Sequence, residues 1–373
     1  MIKRYILVLA IAFGFSAACL NAKEPTTPAK PSAQREVRAF WNHSGTGAYP
    51  GDWDRTAKEL SQAGFNTIMP NMLWGGAAHY DSKILPTSTV FQRHGDQIAQ
   101  CVEAAHRHGL KVHVWKVCWN LGHYAPNDFI QKMRDANRTQ VSVDGKTKDW
   151  LCPSHPENFK LELDSMLEVA RNYPADGLHF DYIRYPSTDW CFCDGCRKRF
   201  EADTNQKVAH WPEDCHRGAL RKQYNAWRRK QITRLVETVS REAKKIRPGI
   251  KISAAVYGSY PGCKNGVAQD WAAWAKEGHV DFLCPMNYTN SDKTFARLLI
   301  NQIRLVEGRV PIYPGIGAAA SRSKLSADRV LDQIGISRRL GAGGFVIFNL
   351  RADTMAKLVP AVGRGMSAAG SRQ

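Results

Sequence analysis

Acidic residues are scarce in this sequence. Asp and Glu number 34 against 52 Lys and Arg, a formal net charge of +18 at neutral pH. Such an excess favours anionic partners such as nucleic acid, an anionic glycan or a wall surface, and by itself selects none of them. Cysteine is thin as well. Ten in 373 residues are too dilute for a small scaffold built on disulfides. A hydrophobic share of 43% and a charged share of 23% exclude extensive disorder, a collagen-like chain and a polytopic membrane protein. No His-Glu-x-x-His and no two-metal carboxylate pattern occurs, so metal-assisted hydrolysis has no motif behind it. No internal repeat marks a second fold.

The N-terminus carries Lys3-Arg4, then an uncharged apolar run over residues 5–15, then Ser16-Ala-Ala-Cys19. The run is about half the length of a membrane-spanning helix. The three parts in this order read as a secretory signal peptide over residues 1–22, cut after Ala18 or Ala22. Lipidation at Cys19 is the weaker route, because Ser16 stands where an aliphatic residue is usual. The expectation is therefore a periplasmic or secreted protein without an integral span. Residues 23–35 form a Pro/Thr/Ala/Lys linker.

From residue 36, short apolar runs alternate with helical patterns. Strands are expected at 37–41, 65–71, 111–117, 177–181, 250–256, 280–286, 310–313 and 344–348. Helices are expected near 54–63, 97–108, 159–172 and 220–246, around Trp271 and Trp274, and at 295–306, 327–340 and 354–362. Eight strand–helix units predict an α/β protein, a closed parallel (β/α)8 barrel over residues 36–365, followed by a tail at 366–373. The surplus length is assigned to the segments after strands one, three (118–158) and four (185–217). These share the face where barrel enzymes keep their chemistry.

The densest stretch is Asp176-Gly-Leu-His-Phe-Asp-Tyr-Ile-Arg-Tyr-Pro186. Strand alternation sends His179, Asp181 and Ile183 to the interior, with Asp181 near the mouth and Arg184 beyond it. An interior carboxylate is costly unless it is paired or used. Asp181 is therefore the first catalytic candidate, and a structural Asp181–Arg184 pair is the plainer reading. Other strand ends are aromatic or polar: Trp41, Asn42 and His43, Asn71 and Trp74, Trp115 and Trp119, Tyr257, Asn287 and Tyr288, Asn349 and Arg351. Flat faces with amide, imidazole and guanidinium groups suit a sugar. Trp41, Asn71, Trp74, Trp115, His179, Arg184, Tyr257, Asn287, Tyr288 and Asn349 are accordingly the expected substrate contacts.

Val37-Arg-Ala-Phe-Trp41, Gly64-Phe-Asn-Thr67, Tyr80-Asp-Ser-Lys83, Val112-His-Val-Trp115, the 176–186 stretch and Pro285-Met286 before Asn287-Tyr288 occur in that order. In this the chain resembles the bacterial glycosyl-hydrolase-like family ten, which is distinct from the family-ten xylanases. The resemblance implies an exported barrel acting on a polysaccharide, in some members on peptidoglycan glycan strands. It also implies that Asp181 is the leading catalytic carboxylate.

A glycosidase normally needs two carboxyl groups, and strand five ends without one. Asp270 is the first choice for the second, with a helix N-cap as its plain alternative; Asp189, Asp194 and Asp353 stand behind it. The chitinase-type pattern Asp-Gly-x-Asp-x-Asp-x-Glu fails here, because His179 and Ile183 replace its first inner Asp and its Glu. The rival to an enzyme is therefore a non-catalytic glycan-binding barrel. Cys193 and Cys196 have the spacing of half a zinc site, with Cys215, His210 or His216 as completing ligands, and disulfides are the alternative. No cofactor is expected to be required. Cys101, Cys118 and Cys284 read as buried thiols. The basic helix with Lys222, Arg228, Arg229, Lys230, Lys244 and Lys245 reads mostly as a solvated face. Contact with an anionic wall polymer is the expectation for this charge, and nucleic acid is not expected.

Overall fold

The computed structural model describes Met1 and residues 36–370; the expected signal peptide, Cys19 and the linker lie outside this range. Among the described residues ten strands occur: β1 (Val37–Asn42), β2 (Thr67–Leu73), β3 (Lys111–Val117), β4 (Thr139–Val141), β5 (Thr147–Leu151), β6 (Gly177–Asp181), β7 (Lys251–Tyr257), β8 (Phe282–Met286), β9 (Gly315–Gly317) and β10 (Gly344–Phe348). Eight of them close a barrel in the order β1-β10-β9-β8-β7-β6-β3-β2, with every pairing parallel. The hairpin β4–β5 stands outside it, in the segment that follows β3. This is the (β/α)8 barrel expected from the alternation.

Local chemistry sets the helix starts. Asp52, Ser88, Asp96, Ser291 and Ser326 each accept an N–H from the first helical turn with the side chain. Apolar residues divide into two layers. Ala39, Trp41, Met69, Trp115, Val117, Ala255, Cys284 and Val346 fill the barrel, and a larger cluster lies between strands and helices. Between these layers Lys116 and Glu162 form a fully buried ion pair at 3.4 Å. Lys116 also donates to the Trp74 carbonyl at 3.0 Å, and Glu162 accepts the Trp119 N–H at 2.9 Å. Two rim segments, after β2 and after β3, are thereby fastened to one buried charge pair.

Three expectations need correction. The seventh strand forms its ladder at β9, and the 310–313 segment contributes a single parallel bridge, Leu283 to Ile312. Pro311 and Pro314 lack the N–H that a continuous ladder needs. The loop after β1 is short (43–52), and the longer one follows β2 (74–96). That loop is pinned from inside: Tyr80 Oη, Ser82 Oγ and the Lys83 N–H all donate to the carboxylate of Glu168, at 2.9, 2.6 and 2.7 Å. Finally, the last helix runs Ala352–Gly370, taking up most of the expected tail. Buried Val359, Val362 and Met366 hold it to the barrel despite Pro360.

Candidate active site

β6 delivers Asp181 to the C-terminal mouth, opposite Val117 of β3. Its carboxyl is 5% exposed and accepts the Tyr182 N–H at 2.7 Å. Burial raises its pKa from 3.8 to about 6, against the lowering effects of the Arg184 charge, that N–H and the Trp115 indole. The next residue, Tyr182, adopts a left-handed backbone with φ of +52°. Alternation therefore stops at Asp181. Ile183 turns into the outer core rather than the interior, while Tyr182 and Arg184 line the mouth.

Arg184 is held between two rings, 4.1 Å from the Tyr182 centroid and 4.7 Å from that of Tyr257. It is 7% exposed, and its Nε and Nη1 have no partner. A guanidinium stays charged at any ordinary pH. Buried donors free of protein partners beside a carboxyl can bond water or a ligand oxygen.

These groups open on a cleft of about 880 Å³. Trp41, Trp115, Arg184, Tyr257 and Tyr288 line it as expected, together with His43, Tyr182, Met286, Phe348 and Arg322. Tyr288 stacks on Phe348 at 5.5 Å, and Trp41 meets both edgewise. Glycine in β9 makes room for this wall: a Cβ on Gly315 would stand 2.8 Å from the Trp41 ring, and one on Gly317 3.0 Å from Tyr288. Among the residues lining the cleft, Asp181 is the one carboxylate.

Five expected contacts lie behind that wall. Asn71 and Trp74 are buried, and both side-chain atoms of Asn71 and the Trp74 Nε1 lack partners. His43, which lines the cleft, packs 5.7 Å from both Trp74 and Trp115. His179 is a positioning residue. The indole of Trp41, a pure donor, gives its N–H to His179 Nε2 at 2.9 Å, so Nδ1 carries the proton and donates to Ser253 Oγ at 2.8 Å. Burial pushes the His179 pKa well down and keeps the ring neutral. Asn287 exchanges two hydrogen bonds with Gln302, at 3.0 and 2.7 Å, and Gln302 holds the Gly258 carbonyl on the rim. Asn349 accepts the His43 N–H at 3.0 Å. Amides that looked like sugar contacts thus hold the residues that line the cleft.

Asp270 does not share the cleft. Its carboxylate pairs with Lys264 at 3.0 Å and accepts the Tyr260 hydroxyl at 2.8 Å, in a separate surface hollow. It starts the Trp271–Lys276 helix without a side-chain cap bond. Asp189 is bound by His216 at 2.9 Å and lines another groove, and Asp353 pairs with Arg351 at 2.7 Å. Histidines form a second grouping beside the cleft. His79 donates to or accepts from Ser88 Oγ at 2.7 Å through Nδ1, and burial lowers its pKa to about 3. His43 is lowered for the same reason, with His123 contributing. These two rings are neutral at pH 7.

The cysteine expectation also changes. The sulfurs of Cys152, Cys191, Cys193 and Cys196 all lie within 4.8 Å of one another. Cys215, His210 and His216 are not part of that group: Cys215 and His216 line the groove beside Arg221 and Arg229. Cys101, Cys118 and Cys284 are buried thiols, as expected. Arg228 is no solvated charge. It is 1% exposed, stacks 4.3 Å from Tyr185, and donates to the carbonyls of Ser187 and Trp190.

The family model described as "Glycosyl hydrolase-like 10" matches residues 42–317. The chain belongs to this family. It is 26% identical over 271 residues to glycosyl hydrolase DigH of Escherichia coli K12, covering 64% of this chain and 58% of the relative. It is 22% identical over 309 residues to glycosyl hydrolase YngK of Bacillus subtilis, covering 70% and 55%. The chain thus spans a little over half the length of these curated relatives. In fold it resembles the glycoside hydrolase domain of PgaB (BpsB) from Bordetella bronchiseptica, with a TM-score of 0.69 at 13% identity, covering 89% of this chain and 99% of that domain. The family is thus a glycosyl hydrolase-like one, and the structural likeness is one of fold. Among the described residues no helix is long and apolar enough to cross a membrane.

Proposed function

We propose that this protein is an exported glycoside hydrolase that cleaves a polysaccharide, with glycan strands of peptidoglycan as its substrate class. The observation that carries the reading is Asp181: a carboxyl with a pKa near 6, buried at the base of an aromatic cleft, beside a guanidinium with free donors. A group with that pKa keeps its proton at mildly acid pH and can pass it to a leaving glycosidic oxygen. Trp41, Trp115, Tyr257 and Tyr288 offer faces for sugar C–H surfaces, and Arg184 offers its Nε and Nη1 to ring substituents.

The cleft supplies one carboxylate where most glycosidases use two. The second partner then comes from the substrate. A 2-acetamido oxygen can attack the anomeric carbon as Asp181 protonates the departing oxygen; water then opens the cyclic intermediate at the anomeric carbon and gives its proton back to the Asp181 carboxylate. Glycan strands built of N-acetylated sugars carry that group, which favours them over neutral polysaccharides. The groove lined by Arg217, Arg221, Lys222 and Arg229 supports contact with an anionic wall polymer.

The single carboxylate also favours a second reading, a barrel that binds glycan without cutting it. A reducing-end assay on peptidoglycan strands, with and without stem peptides, separates the two. The hydrolase releases reducing ends, and Asp181→Asn loses that activity while keeping glycan binding. Retention of glycan by the native protein with no new reducing ends establishes the binding barrel instead.

A further inference from the structure

We propose that Cys152, Cys191, Cys193 and Cys196 hold one zinc ion as a structural four-thiolate site bracing the wall of the cleft. All four side chains are buried, three of them completely and Cys193 to within 8%. Cys152 comes from the residue after β5, and the other three from a single Cys-x-Cys-x2-Cys run after β6. Cys152 Sγ lies 3.4 Å from Cys196 Sγ and 3.9 Å from Cys193 Sγ. A zinc ion about 2.3 Å from four sulfurs at tetrahedral corners spaces them about 3.8 Å apart. A disulfide needs about 2.0 Å. The sulfurs therefore already stand at metal-ligand spacing, and these nine described cysteines form no bond with one another.

The surroundings suit a thiolate cluster. Four deprotonated thiols around a dication leave two net negative charges, and loading releases four protons to solvent as four Zn–S bonds form. Arg199 lies against that charge, with Nη2 3.8 Å from Cys152 Sγ and Nε donating to Ser154 Oγ at 3.0 Å. Ser154 Oγ is 3.3 Å from both Cys152 Sγ and Cys196 Sγ. The backbone N–H of Val141 donates to Cys191 Sγ at 3.4 Å. Donors aimed at sulfur are the usual outer partners of such sites. Tetrahedral sulfur-only sets select zinc or iron, and a closed set of protein ligands with no open position marks a structural rather than a catalytic role.

The site joins two segments that shape the cleft. Trp150, two residues before Cys152, packs 5.3 Å from Tyr182, which in turn lies beneath Arg184. Cys191 follows the same chain ten residues after Asp181. Losing the ion frees the hairpin from the Asp181 segment and loosens Arg184. The inference does not depend on the glycan reading, because its readout is the metal itself.

The test is elemental analysis of the purified full-length mature protein, with sulfur status read by mass spectrometry after denaturation and alkylation. The expected result is one zinc per chain, released when a mercurial reagent titrates the thiols, with no bridge among the four cysteines. Cys193→Ser and Cys196→Ser each lose the zinc, and Cys215→Ser keeps it. Should the serine variants fail to fold, cobalt replacement of the native protein still decides the question through the absorption of a tetrahedral cobalt–thiolate centre. Disulfides among the four, free thiols without metal, or stoichiometric iron in place of zinc overturns the proposal.

Discussion

Asp181 and Glu168 are equally hidden, each 5% exposed, and yet they are built for opposite ends. Glu168 receives a phenol, a hydroxyl and a backbone N–H, all within 2.9 Å. Asp181 receives one backbone N–H, with the Trp115 indole and the Arg184 guanidinium close by but not hydrogen-bonded to it. Glu168 faces the helix layer and fixes the loop carrying Tyr80-Asp-Ser-Lys83. Asp181 faces the cleft and titrates near 6. Burial alone therefore does not mark a working carboxylate; burial with too few donors does.

Breaking each member of that pair in turn should produce opposite phenotypes. Asp181→Asn should cut glycan hydrolysis by about 10²–10⁴-fold, the usual contribution of a general acid. It should not lower stability at pH 8. The folded pKa of Asp181 lies above its ordinary value, so its ionisation works against the fold. That group's stabilising share is full below about pH 4 and is lost as pH rises through about 6. At pH 8 the variant should be the more stable protein, by an amount on the order of 3 kcal/mol at most. The gain should vanish towards pH 4, and urea unfolding at the two pH values measures it.

Lys116→Met carries the comparison to a third buried carboxylate. It strips the buried Glu162 of its countercharge, whether the carboxyl then stays ionised or takes up a proton, and should cost about 3–5 kcal/mol in thermal or chemical unfolding. Glu168→Gln should cost less, about 2 kcal/mol, since a neutral amide can keep some of the three donors but loses the charge they solvate. Its turnover per folded molecule should stay near native. The smallest effect is expected at Tyr257, the most exposed ring of the cleft at 37%. Tyr257→Ala should weaken glycan binding about 3–10-fold, the scale of one ring contact; calorimetry on oligosaccharides checks it.

Much of this was readable along the chain, and the failures have physical causes. The barrel followed from eight alternating units, and Asp181 from its place at the end of a buried strand. β9 was missed because Gly315 and Gly317 answer to Trp41 and Tyr288, which are distant in sequence. Tyr182 was missed because a left-handed residue interrupts the two-residue period. Asn287 and His179 have the right chemistry for sugars, but Gln302, Trp41 and Ser253 take it up first. Asp270 was misplaced because Lys264, its partner, belongs to a neighbouring short helix that carries no pattern of its own. Cys152 had no motif around it, and only the fold brings it to the Cys191–Cys196 run.

The pH profile of kcat/KM on a cleavable glycan tests the role of Asp181 most directly, since that ratio reports ionisations of the free enzyme. The account predicts a rate that holds on the acid side and falls about tenfold per pH unit above about 6. A rate that rises with pH through 6 would mean that Asp181 works as the ionised base, and would contradict it.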